Sequence, residues 1–402
     1  MRSVLLLARR VHYRRNMTSE LSVTHEITPA AAPSARSTGA RTAFLDHIRI
    51  LLTVLVILHH AAITYGAPGG WYVNGLEPDH LGGNLWRASM LFVSVNQSFF
   101  MGFFFLIAGY FTASSFLRKG VLKYGKDRLV RLGVPLLIGA GFFSPLAISL
   151  AQVYRGGGLI DGFYWVYAMG HYECGPLWFI QALLIFSAIY ALVMLFVGRG
   201  DRSVRERAFP SHLAILAGAL FTGGLAFLLR QRFPVGENFW SMQLGYFSSY
   251  VVLFYVGCMA SKHRWLEKVE LRHALPWMIV SLAAISLMFF PMPEGDSSRG
   301  WNAAALFYAM WEPFVAIGII MGMLYIGRRF FSGTNRFWTH LARCSFAVFC
   351  IHAPVLVGMT LLAKNWAVGP LEKWAIVGGA SCVACWAIAS ILVRLPGLRR
   401  VF

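Results

Sequence analysis

The chain has 402 residues, of which 57% are hydrophobic and 13% charged, and its mean hydropathy is +0.59. Soluble domains carry about a quarter of their residues as charge, so this composition excludes most soluble folds and indicates a protein that crosses a membrane many times. The net charge of +19 falls in short clusters between apolar runs, as in loops on the positive side of a bilayer, and argues against a nucleic-acid partner.

At the N-terminus, MRSVLLLARR has an apolar core too short for a cleaved signal. Residues 1–42, which include TPAAAPSARSTGAR, read as a disordered basic cytoplasmic tail. Met17 is an alternative start, which an N-terminal peptide would decide. A membrane domain is expected over 43–394 and a short basic tail over 395–402. Within the domain, apolar stretches of roughly 18 residues or more lie at 43–64, 89–116, 132–153, 175–197, 212–229, 243–261, 274–291, 302–326, 342–363 and 373–394. The expected fold is all-α and polytopic, with about ten transmembrane helices.

The loops set the expected orientation. RKGVLKYGKDRLVR (118–131) joins spans two and three. Arg199, Arg202, Arg205 and Arg207 follow span four, and Lys262, Arg264, Lys268 and Arg272 follow span six. Arg328, Arg329, Arg336 and Arg343 follow span eight, and Arg394, Arg399 and Arg400 follow span ten. The alternate loops are poorer in base or carry acids, such as Glu77 and Asp79, Asp161 and Glu173, and Glu294 and Asp296. By the positive-inside rule both termini are cytoplasmic. No sequence repeat relates the two halves, which argues against an inverted-repeat transporter.

The first span is the least like a plain anchor. FLDHIRILLTVLVILHH (44–60) holds Asp46, Arg49, His59 and His60, and polar groups in hydrocarbon are costly unless they have a task. At about 100° per residue, Arg49 lies within about 20° of His60 and Asp46 within about 40°, whereas His59 is displaced from Arg49 by about 80°. His60 is thereby the histidine that shares a face with the acid, the base and Thr53. A rise of about 1.5 Å per residue puts it about 21 Å outward from Asp46. A packed histidine above an ordinary ion pair three residues apart is the bland alternative; the combination on one face favours function.

Further along, the aromatics of GGWYVNG (69–75) and DGFYWVY (161–167) read as interfacial belts. His171 and Glu173 stand just outside span four, where either acceptor contact or a solvated loop explains them. Glu312 lies near the middle of span eight and requires a partner; it either orients His60 or an acceptor hydroxyl, or serves a kink at Pro313. His352 lies near the middle of span nine. The six cysteines, among them the CVAC pair Cys382 and Cys385, sit mostly in apolar runs and form no disulfide framework. No metal site is expected.

FLDHIRILLTVLVILHH resembles the first-helix signature of the acyltransferase 3 family, in which an Asp, an Arg three residues on and a His eleven residues beyond that Arg recur. By that spacing the family's essential histidine corresponds to His60. FFMGFFFLIAGYF (99–111), RLVRLGVP (128–135), GPLWFI (175–180) and SFAVFCIHAPV (345–355) are similar to further family motifs in the same order. FLDHIR and LWFI are most similar to its glucan-modifying branch, which is associated with succinylation of periplasmic glucans. Ala108 stands where the family often has Ser, and Ile50 where many members have Gly.

The resemblance implies an integral membrane acyltransferase of the bacterial inner membrane. It would move an acetyl or succinyl group from cytoplasmic acyl-CoA, a donor substrate rather than a bound cofactor, to a hydroxyl of an envelope carbohydrate or glucan. His60 suits a general base, with Asp46, Glu312 and His352 as further catalytic candidates; direct transfer and a transient acyl-histidine are both open. Arg49, Arg128 and Arg131 would hold the donor's phosphates, whereas Lys126 reads mainly as a topology signal. The alternative is a proton-coupled transporter or flippase, with the first span as its path and Glu312 as the coupling acid.

Overall fold

The computed structural model describes residues 36–75, 82–197, 207–398 and 401. The expected N-terminal tail up to residue 35, with Met17, and the charges Glu77, Asp79, Arg199, Arg202, Arg205, Arg399 and Arg400 lie outside the described residues. The compact unit begins at Ala40.

Among the described residues, ten helices are long and apolar enough to cross a membrane. They are α1 (Thr42–Thr64), α2 (Gly83–Lys119), α3 (Val121–Tyr154), α4 (Gly175–Val197), α5 (His212–Arg230), α6 (Leu244–His263), α7 (Leu271–Phe289), α8 (Ala303–Phe330), α9 (Arg336–Leu362) and α10 (Pro370–Leu392). Each contains most of one expected span. The α1 helix itself starts at Arg36. A short helix, Leu159–Tyr167, lies between α3 and α4. No strand forms among the described residues beyond an isolated bridge between Phe239 and Met242. The protein is all-α and polytopic.

The segment 118–131 is a correction. It reads as a basic loop, yet helix resumes at Val121 after a single residue, Gly120, at φ 74°, a backbone region that glycine enters without steric cost. Helix α3 then carries two wide π turns, Leu129–Gly133 and Gly139–Phe143. Their cause is in the sequence. A proline ring collides with the carbonyl four residues back, and the partners so defined for Pro135 and Pro145 are Arg131 and Gly141, one inside each π turn. The Tyr167 hydroxyl donates to the Gly141 carbonyl, supplying the hydrogen bond that Pro145 cannot.

Helices α1, α2, α8 and α9 are the inner ones; 67% of α9's most apolar stretch is buried, against 17% for α7. Outer helices turn large apolar side chains such as Leu192, Phe196, Phe221 and Leu282 outward, as a lipid-facing surface requires. Small residues set the closest contact: a Cβ on Gly109 of α2 would collide with the Phe254 carbonyl of α6, and one on Gly257 with the Leu106 carbonyl, so the two backbones touch. Helix α1 is tied to its neighbours by side chains that reach its carbonyls, Asn96 of α2 to Leu55 at 3.2 Å and Trp374 of α10 to Leu58 at 3.0 Å. A core that includes Leu45, Leu52, Phe103, Phe105, Ile180, Leu324 and Val348 fills the space between these helices.

Candidate functional site

The end of the bundle at which α1 finishes and α2 begins holds a cavity of ≈ 940 Å³. His59 and His60 from α1 line it, with Gln97 and Phe100 from α2, Ile148 from α3 and Arg155 just beyond its end, Tyr246 and Tyr250 from α6, and Tyr308 from α8. The segment after α1 adds Trp71 and Tyr72, the short helix adds Trp165, and the α5–α6 loop adds Asn238 and Trp240. Five spanning helices, the short helix and two connections thus converge on one space whose walls are aromatic faces interspersed with amides.

His60 sits in the wall with its ring stacked on Trp71, centroids 3.9 Å apart and planes inclined by 13°. On α9, the His352 ring lies nearly parallel to it at 5.5 Å. His352 is 1% exposed, and its Nδ1 is 2.7 Å from the Phe349 carbonyl. A carbonyl only accepts, so Nδ1 carries the proton and Nε2 presents a lone pair. That Nε2, the Nδ1 atoms of His59 and His60, and the Trp71 indole nitrogen are buried without hydrogen-bond partners. Buried polar atoms are usually paired, so this concentration of unused hydrogen-bonding capacity beside a cavity marks the site.

Helical angle alone separates His59 from the Arg49 face, yet it lines the same cavity, perpendicular to His60 at 5.4 Å and against Phe100 at 5.0 Å. The cavity wraps the end of α1, so two neighbouring residues both reach it. The interfacial-belt reading of Trp71, Tyr72 and Trp165 is corrected for the same reason, since all three face the cavity. Tyr72 shares a hydrogen bond with Ser144 at 3.3 Å, and burial pushes its phenol up to about 12, so it stays neutral.

The remaining candidates lie elsewhere. Asp46 and Arg49 form an ion pair at the opposite end of α1, each about 40% exposed. Thr53, between them and His60, spends its hydroxyl on the Arg49 carbonyl at 2.8 Å, so no continuous line of free polar groups joins the ion pair to His60. Arg128 lies over the Tyr124 ring at 5.0 Å and reaches the Thr112 hydroxyl at 3.5 Å. Arg131 is exposed in the first π turn. Glu312 does have a partner, but it is Arg230 at the end of α5. Arg230 is 0% exposed, lies between the rings of Tyr246 and Tyr308 at 5.3 and 5.0 Å, and donates to the Gly245 carbonyl at 3.2 Å. The structure therefore brings His59, His60 and His352 together, leaves Asp46, Arg49, Arg128 and Arg131 at the other end, and places Glu312 in a buried pair behind the cavity's tyrosines.

A family model described as an acyltransferase domain, the acyltransferase 3 type, matches residues 42–390. The glucans biosynthesis protein C of Salmonella schwarzengrund is 23% identical over 337 residues, which cover 78% of this chain and 82% of that protein. That of Salmonella agona matches to the same extent. The Escherichia coli O1:K1 protein of that name is 40% identical over 97 residues, 24% of this chain and 23% of its own. No solved structure matches.

Proposed function

The chain belongs to the acyltransferase 3 family, and from that premise we propose which groups it joins: as a membrane acyltransferase it takes an acetyl or succinyl group from acyl-CoA and places it on a hydroxyl of an envelope carbohydrate. The donor arrives at the end bearing Asp46, Arg49, Arg128 and Arg131, where guanidinium groups suit phosphate. By the positive-inside rule that end is cytoplasmic and the cavity opens to the other side, which suits residence in a bacterial inner membrane. The relatives' name supports a glucan as the acceptor.

The observation that carries this reading is His60, held flat against Trp71 in a cavity of aromatic and amide groups. As the acceptor oxygen attacks the thioester carbonyl, an imidazole nitrogen takes its proton. The C–S bond then breaks, the CoA thiolate leaves, and the imidazolium returns the proton to it. His352, near-parallel to His60 and with an unpartnered Nε2, shares the proton or fixes the ring. Asp46 acts through Arg49 at the donor end. Glu312 acts only through Arg230 and the tyrosines.

The test is release of free CoA from acetyl-CoA and succinyl-CoA by the purified protein in lipid, with a membrane glycan fraction added. Wild type is expected to show acceptor-dependent release, reduced about 10²–10⁴-fold in His60→Ala and less in His59→Ala. Unchanged release in His60→Ala removes that residue from the chemistry.

A further inference from the structure

The α5–α6 connection contributes a whole wall of the cavity, with Val235, Gly236, Asn238, Trp240, Ser241 and Gln243. Its centre is a tight hairpin in which Phe239 and Met242 exchange backbone hydrogen bonds at 2.8 and 3.0 Å around Trp240 and Ser241. Both central residues are left-handed, at φ 50° and 65°, and they are two of the three non-glycine residues with positive φ among the described ones. A two-residue turn of this hand normally uses Asn-Gly, because β-carbons are strained there. Here two side chains are kept despite the strain, and each has a visible use. The Ser241 hydroxyl accepts from the Cys174 backbone N–H at 3.2 Å, which fastens the hairpin to the segment bearing Glu173 on the cavity rim. Trp240 is 74% exposed while lining the cavity, its ring stacked on Phe239 at 5.4 Å and 14°.

We propose that this hairpin is the acceptor-binding element and that Trp240 is the platform on which a sugar ring of the carbohydrate acceptor stacks, with the Asn238 and Gln243 amides available to its hydroxyls. The inference rests on the proposed carbohydrate acceptor and adds the residue that selects it. An indole face is a flat apolar surface held at little entropic cost, and pyranose rings offer matching C–H faces edged with hydroxyls. Strain kept at a ligand-facing turn fits a role that sequence-optimal Asn-Gly would not fill. A tryptophan acting only as an interfacial anchor would have no reason to be aimed at the cavity.

Two measurements on the full chain in nanodiscs test it: direct binding of a short soluble glucan oligosaccharide, and acceptor-dependent CoA release. Trp240→Ala is expected to weaken oligosaccharide binding and raise the acceptor KM by about tenfold or more, with the acyl-CoA KM unchanged, and Trp240→Phe to restore most of both. If wild type binds and acylates glucan while Trp240→Ala matches it in acceptor affinity, this inference falls and the proposed function stands. A parallel loss for donor and acceptor, unrescued by Phe, makes Trp240 merely structural and overturns the platform. If wild type neither binds oligosaccharide nor releases CoA in response to it, the carbohydrate-acceptor reading falls and the platform with it.

Discussion

The His60 ring lies flat on the Trp71 indole, 3.9 Å between centroids, although Trp71 belongs to the connection beyond the end of α1 rather than to a neighbouring helix. The stack holds the ring plane against the indole, and His60 Nδ1 is buried with no hydrogen-bond partner. If His60 is the base proposed above, it loses rate when its support is removed, because small displacements of a catalytic group are costly. Trp71→Ala is expected to lower kcat by about tenfold to a hundredfold with the acyl-CoA KM unchanged, and Trp71→Phe to retain most of it. Steady-state kinetics decide; equal activity in Trp71→Ala would mean that the stack does not position the base.

The buried Arg230–Glu312 pair makes a different prediction from the one a catalytic glutamate would. Removing one member of a buried pair strands the other charge, at about 3 kcal/mol or more, whereas replacing both by apolar side chains of similar size is often tolerated. Glu312→Gln should therefore lower the melting temperature in nanodiscs substantially, and Arg230→Met with Glu312→Leu should recover it. If the double variant is stable and active, Glu312 has no part in the chemistry. If it is stable and inactive, the pair is needed to hold Tyr246 and Tyr308 in the cavity wall.

Much of this was legible because hydropathy alone marks a segment of about 20 apolar residues, and all ten spans were readable on that basis. His60 stood out as a candidate because helical angle and motif agreed on it. Trp71 and Trp165 were not, since an aromatic at a membrane boundary has the same local sequence whether it faces lipid or a cavity. Arg230, in LLRQR at the end of a span, looks like any terminal basic residue; only the fold brings it against Glu312, 82 positions away. The helical character of 121–131 was hidden by its charge, which suggests a loop, while Gly120 makes the reversal in one residue. The turn at Trp240 carries no glycine or asparagine to announce it.

The glycine contact between α2 and α6 tests the packing itself. A methyl group on Gly109 has no room, because the obstruction is the Phe254 carbonyl and not a movable side chain, so Gly109→Ala must separate the helices at about 1–3 kcal/mol. Gly224 of α5 has nothing within 4 Å of an added Cβ, and Gly224→Ala should be neutral or stabilising by up to about 1 kcal/mol through helix propensity. Thermal unfolding of the two variants should move in opposite directions or leave Gly224→Ala unmoved. A Gly109→Ala protein as stable as wild type would show that the two backbones are not in contact.

The charged end of α1 and α3 makes the last prediction, which separates donor from acceptor. A guanidinium grips phosphate with two parallel hydrogen bonds and a lysine ammonium does not, so the exchange keeps charge and topology signal while removing the fork. Arg49 offers a clear case: its Nη2 is engaged by Asp46, which orients the group, and its buried Nε has no partner. Arg49→Lys and Arg128→Lys should each raise the KM for acyl-CoA by about tenfold and leave the acceptor KM unchanged, the reverse of what Trp240→Ala does. Added salt should weaken donor binding about equally in wild type and in both variants, because the exchange leaves the positive charge in place to be screened. A donor KM unmoved by both substitutions would leave these arginines as topology signals only and send the search for the CoA site to another face of the bundle.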